Sequence, residues 1–144
     1  MFSKACEYSI RAMVFIAQKT KYGEKVGIKE IANGVDSPEH FMGKILTELS
    51  RKGLILSTKG PHGGFYMDDR CLRTTFAEVV TAIDGKKIFT GCGLGLKICN
   101  EAKPCPIHDE FKIVRNKLKS LLETTRVGEF NESLEQGLVF LKRN

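Results

Sequence analysis

Apolar residues recur with a helical period along the first third of the chain. Tyr8, Ala12, Phe15 and Ile16 form one stripe and Ile28, Ile31, Ala32 and Val35 a second, each on one helix face. The polar turn Tyr22-Gly23-Glu24-Lys25 separates them. A third helix is signalled by Ser37 as N-cap and Pro38 at its first position; it buries Met42, Ile45, Leu46 and Leu49 and ends at Gly53. Between Val35 and Ser37 there is room only for a tight turn, so the second and third helices form a helix-turn-helix candidate. The third helix turns His40, Lys44, Thr47 and Arg51 outward, with Lys52 beside them. Such a stripe also serves as ordinary solvated surface, and its meaning depends on the neighbouring segment.

That segment, immediately C-terminal to Gly53, has the pattern of a hairpin. Leu54 to Thr58 reads as a strand, Lys59-Gly60-Pro61-His62-Gly63-Gly64 as a turn and Phe65 to Met67 as the returning strand. Its tip carries the charges of Lys59 and His62 among glycines that let the backbone approach a phosphate or a minor groove. A nucleotide-binding loop is a poor alternative, because the glycines lack Walker spacing and do not lead into a helix. Helix-turn-helix plus wing predicts a mainly α (α+β) winged helix that binds duplex DNA through His40, Lys44, Thr47, Arg51, Lys59, Gly60, His62, Gly63 and Gly64.

Past the wing, Thr75-Phe76-Ala77-Glu78 is a capping box opening a helix that buries Phe76, Val79, Val80 and Ile83 and stops at Gly85. Residues 86–105 show no period, and a stretch of that length is usually functional or disordered. From Pro106, Ile107, Phe111, Val114, Leu118 and Leu121 alternate four and three apart like a short coiled-coil seam, which either meets a second copy or packs inward. A last amphipathic helix is predicted from Phe130, Leu134, Leu138 and Leu141. The expected organisation is a DNA-binding domain over 1–85, a metal-binding loop over 86–105, and a dimerisation helix with a C-terminal helix over 106–144.

The unpatterned stretch holds the chemistry. Cys92, Cys99, Cys105 and His108 fall within seventeen residues, and soft donors at such separations favour an iron-sulfur cluster, zinc or Cu(I) over hard cations. Structural zinc prefers closer cysteine pairs, whereas a cluster accepts ligands spread over a longer loop. Redox-reactive free thiols are a further reading. A nucleophilic Cys105/His108 dyad would make the chain an enzyme, but no oxyanion-hole or substrate-pocket pattern accompanies it, and no small-molecule substrate is expected. Cys6 and Cys71 lie on packed elements and read as small buried hydrophobes. The odd count of 5 cysteines and the lack of an export-signal or membrane-span pattern point to a reducing cytoplasm. The net charge of +6 suits a polyanionic partner, yet it is spread evenly and adds little.

Glu7-Tyr8 and Arg11-Ala12, Ile28 with Ile31-Ala32, Leu49 with Gly53-Leu54, the wing Lys59-Gly60-Pro61 with Gly63-Gly64-Phe65, and the three ordered cysteines together resemble the IscR/NsrR/CymR family of bacterial winged-helix transcription regulators over about residues 2–124. The resemblance implies a homodimer on a partly palindromic operator and, in many members, a 2Fe-2S or 4Fe-4S cluster. It implies Cys92, Cys99 and Cys105 as cluster ligands, with His108 as the fourth ligand as in IscR-like members; the alternative is Glu7 from the other subunit, as in NsrR-like members. The chain departs from IscR in a wider gap between its first two cysteines, in Gly43 where an acidic residue stands, and in His62 within the glycine run. The expected function is a redox-, nitric oxide- or cluster-supply-sensing transcription regulator that is not an enzyme; the alternative is a thiol-switch regulator without a cluster.

Overall fold

The computed structural model describes residues 1–143. In chain order the elements are α1 (Lys4–Lys19), α2 (Ile28–Gly34), α3 (Glu39–Arg51), β1 (Leu56–Thr58), β2 (Gly64–Tyr66), α4 (Asp69–Leu72), α5 (Phe76–Asp84), α6 (Lys87–Thr90), α7 (His108–Thr124), a 3-10 turn (Val127–Phe130) and α8 (Asn131–Glu135). No helix among the described residues is long and apolar enough to cross a membrane.

The main core forms where the apolar stripes of α1, α2 and α3 meet: Met13, Ile16, Ile31, Met42, Leu46 and Leu49 are fully buried. Helix α1 is tied to the helix-turn-helix by polar contacts as well. Arg11 Nη1 donates to the Val35 carbonyl at the end of α2 (3.0 Å), and the Tyr8 ring meets Phe41 of α3 edge-on at 5.5 Å. The turn between α2 and α3 is made by Asp36, left-handed at φ 55°, a conformation that Asp tolerates better than most residues. The cap of α3 differs from the expected one. Pro38 is extended (ψ 136°) and is itself the N-cap, while Ser37 Oγ turns to the Pro38 carbonyl instead of accepting from the helix.

The wing is a two-stranded antiparallel ribbon in which Leu56 faces Tyr66 and Thr58 faces Gly64. A bridge between Val26 and Phe65 docks it onto the segment before α2, with N–H···O distances of 3.0 and 2.7 Å. The hairpin itself and that docking explain two wing glycines without DNA. A Cβ on Gly63 would lie 2.2 Å from the Thr58 carbonyl oxygen; one on Gly64, at φ 145°, would lie 2.8 Å from that of Val26. Gly60 has open space around its Cβ position.

Helix α5 carries the expected capping box, with Glu78 N–H donating to Thr75 Oγ1 at 3.1 Å, which contributes about 1 kcal/mol. Val79 and Val80 are buried, while Phe76 and Ile83 are half-buried. Val80 joins Cys6 and Leu122 in a second small core, against which Leu118, Ile88 and Phe89 pack. Two short helices, α4 and α6, are invisible to periodicity because each has only 4 residues.

The seam of α7 divides. Phe111 and Leu118 are half-buried within the protomer and Leu122 is buried, whereas Ile107, Val114 and Leu121, spaced one heptad apart, remain exposed, as does Ile113. The last amphipathic helix is also shorter than its apolar spacing suggests. It ends at Glu135 because Gly137 adopts φ 71°, which leaves Leu138 exposed on a non-helical tail.

Candidate nucleic-acid interface and cysteine site

On α3, His40, Lys44, Thr47 and Arg51 are all exposed along the side opposite the buried Met42, Ile45, Leu46 and Leu49. Two are already engaged. Thr47 Oγ1 donates to the Gly43 carbonyl at 2.9 Å, and the Arg51 guanidinium grips Glu48 through Nε at 3.1 Å and Nη2 at 2.6 Å. Lys52 adds a longer contact to Glu48 at 3.7 Å, and Arg51 above all holds this carboxyl below the usual carboxylate range. Lys44, Lys59 and His62 are exposed, and none of them is ion-paired among the described residues. They are the stripe's and the wing's available polar heads.

The cysteine loop leaves α6, runs irregularly and returns at His108, the first residue of α7. Cys92, Cys99 and Cys105 are half-buried free thiols, and His108 is buried. The four donors meet in two pairs. Cys99 Sγ lies 3.5 Å from His108 Nδ1, and Cys92 and Cys105 stand near enough to perturb each other's titration. The Cys92 sulfur accepts the Leu94 N–H at 3.4 Å. With the Leu96 N–H also aimed at it, the Cys92 thiol is held below the usual thiol range, whereas burial pushes Cys105 up. Among the described residues no three His, Cys, Asp or Glu side chains stand together as a single-ion set.

The donor chemistry nevertheless fits a soft metal group: three sulfurs and an imidazole, with backbone N–H groups directed at sulfur. A sulfur and a nitrogen on one tetrahedral ion lie about 3.5 Å apart, which is the separation of Cys99 and His108. The enzymatic alternative loses its geometry, because His108 meets Cys99 rather than Cys105. Glu7 pairs with Lys4 at 3.3 Å, and no hydrogen bond or ion pair among the described residues joins it to the loop. Cys6 and Cys71 are buried, and burial pushes the Cys6 thiol up to about 12 and raises that of Cys71, in keeping with inert core residues.

One site residue escaped the sequence. Arg115 donates from Nη1 to Cys99 Sγ at 3.3 Å and to the Gly91 carbonyl at 2.8 Å. Its available signal was position: a cation seven residues after His108 recurs on the same α7 face.

The Rrf2 family model, described as an iron-dependent transcriptional regulator, matches residues 2–132. The chain belongs to the Rrf2 family. It is a transcription regulator, not an enzyme. A putative HTH-type transcriptional regulator of Aquifex aeolicus is 24% identical over 99% of both chains. The IscR regulator of Escherichia coli is 23% identical over 89% of this chain and 78% of its own. Among solved structures, CymR of B. subtilis, described as the global cysteine regulator, superposes with TM-score 0.76 at 19% identity, covering 92% of this chain and 97% of its own. IscR of T. potens does so with TM-score 0.71 at 18% identity, covering 100% of this chain and 93% of its own. The winged-helix Rrf2 fold is thereby established for this chain.

Proposed function

We propose that this Rrf2 regulator is a cytoplasmic homodimer that binds a palindromic operator through α3 and the wing, with its affinity set by an iron-sulfur cluster on Cys92, Cys99, Cys105 and His108. The carrying observation is the meeting of Cys99 with His108 at the start of α7, with Cys92 and Cys105 on the same loop. Donors of which no three stand together among the described residues suit a group with more than one metal atom better than a lone zinc ion. When bound, the cluster supplies a centre that oxygen, nitric oxide or iron shortage degrades. The chain's part is mechanical. Cys99 ties the loop to α7, α7 packs on α5, and α5 packs on α1, whose Arg11 and Tyr8 hold α2 and α3. A tenfold change in operator affinity requires only about 1.4 kcal/mol of difference between the two states along that path.

One observation favours a second reading. The Cys92 thiol is lowered, chiefly by the Leu94 N–H, and that of Cys105 is raised, chiefly by burial, so a thiol switch would use this pair. Anaerobic purification separates the two. The cluster reading expects visible charge-transfer absorption with stoichiometric iron and acid-labile sulfide, and an operator affinity that changes when the cluster is lost. A colourless, metal-free protein that forms a Cys92–Cys105 disulfide on mild oxidation would establish the switch instead.

The exposed heptad of Ile107, Val114 and Leu121 is the surface proposed for the second copy. Leu118 is a poor probe of it, because a charge there disturbs the core around Val80. Val114→Glu combined with Leu121→Glu leaves that core untouched, and exposed substitutions usually shift stability by about 0.5 kcal/mol or less. Across a dry interface the same charges cost several kcal/mol. Sedimentation should find this variant monomeric at micromolar concentration with near-normal thermal unfolding of the protomer; a dimer of unchanged affinity would place assembly elsewhere.

A further inference from the structure

Helix α7 reaches the same sulfur twice. His108 Nδ1 lies 3.5 Å from Cys99 Sγ, and Arg115 Nη1, two turns later, lies 3.3 Å from it. That Nη1 also donates to the Gly91 carbonyl at 2.8 Å, so one guanidinium holds both the entry of the loop and its middle cysteine. Its Nε–H is buried and finds no acceptor among the described residues. A buried donor without a partner is destabilising, so a role in folding alone leaves its placement unexplained. The pocket beside Arg115 is lined by Cys92, Gly93 and Phe111 and, farther along, by Ser3 and Asp84, so a group seated beside Cys92 would lie next to the guanidinium.

We infer that Arg115 is a positioning residue of the cysteine site, donating to the Cys99 sulfur and offering its Nε–H to a sulfide-bearing group, and that it transmits the state of the loop to α7. The sulfide-donor part rests on the cluster reading above; the anchoring of Gly91 and Cys99 does not. A fixed cation beside a metal thiolate stabilises the more negative, reduced form and raises its one-electron midpoint potential. Lysine would keep the charge but lose the Nε–H and the planar group that directs Nη1 at Gly91 and Cys99.

The test compares wild type, Arg115→Lys and Arg115→Gln. In the metal-free protein, hydrogen exchange of residues 91–99 should accelerate at least about tenfold in Arg115→Gln while residues 4–58 stay protected. After reconstitution with ferrous iron and sulfide, Arg115→Gln should show a lowered midpoint potential and an altered visible circular dichroism spectrum, with Arg115→Lys between it and wild type. Should Arg115→Gln fail to fold, Arg115→Lys carries both measurements. Unchanged exchange overturns the anchoring, and an unchanged potential in a loaded variant overturns the donation to sulfur. If wild type itself takes up no iron, the cluster reading and the sulfide-donor part fail, and exchange alone decides the anchoring.

Discussion

Replacing Lys44 and Lys59 together by alanine is expected to abolish specific operator binding at physiological ionic strength while leaving the fold intact. Both side chains are exposed, so their loss should change stability by about 0.5 kcal/mol or less. Lys44 stands on the outward face of α3 and Lys59 at the wing, and each is without an ion-pair partner among the described residues. Arg51 is a weaker probe, because Glu48 already holds it and any gain on DNA must first be set against that pair. Each phosphate contact removed releases one fewer counterion, so the slope of log affinity against log salt should flatten by about one unit per contact. In a dimer the double replacement removes the contact twice over, a flattening of up to about four units. A salt titration of operator binding measures it, and unchanged affinity with an unchanged slope would exclude α3 and the wing as the DNA surface.

The fold was legible wherever a periodic apolar stripe coincided with a clear stop. Met42, Ile45, Leu46 and Leu49 marked the buried face of α3, and Thr75 with Glu78 marked the start of α5. It was not legible where competing forces share one pattern. The spacing of Phe111, Leu118, Ile107, Val114 and Leu121 states that α7 has apolar positions, but not that Leu118 packs on the Val80 core, that Phe111 lies against Gly93 of the loop and that the other three face out. Spacing could not reveal that Gly137 would end α8 before Leu138 and Leu141 were reached. In the cysteine loop, residue type announced the chemistry while pairing stayed hidden, since loop geometry has no period. Hence Cys99, rather than the sequence-adjacent Cys105, meets His108. The glycines of the wing show the opposite limit, a pattern open to more than one cause: Gly63 and Gly64 are needed by the hairpin and the Val26 bridge before any phosphate is considered.

His108→Ala is expected to cost most of the cluster, while Glu7→Ala retains it. The two candidates for the fourth ligand differ in what already surrounds them. His108 is buried at the first residue of α7 with Nδ1 3.5 Å from Cys99 Sγ, so little further chain has to be ordered for both to reach one metal atom. Glu7 faces Lys4 at 3.3 Å and would have to leave that pair and reach the loop of a second protomer. The pair itself is exposed and weak, of the order of 0.5 kcal/mol, so it does not by itself prevent such a move. Ligand softness weighs further toward imidazole beside three thiolates. Removing an imidazole ligand should lower iron and sulfide content several-fold and shift the visible spectrum, whereas removing Glu7 should leave both near wild type. Anaerobic iron, sulfide and absorption measurements on the two variants decide the matter. A wild-type spectrum in His108→Ala together with a bleached Glu7→Ala would make the ligation intersubunit and tie cluster assembly directly to the dimer interface.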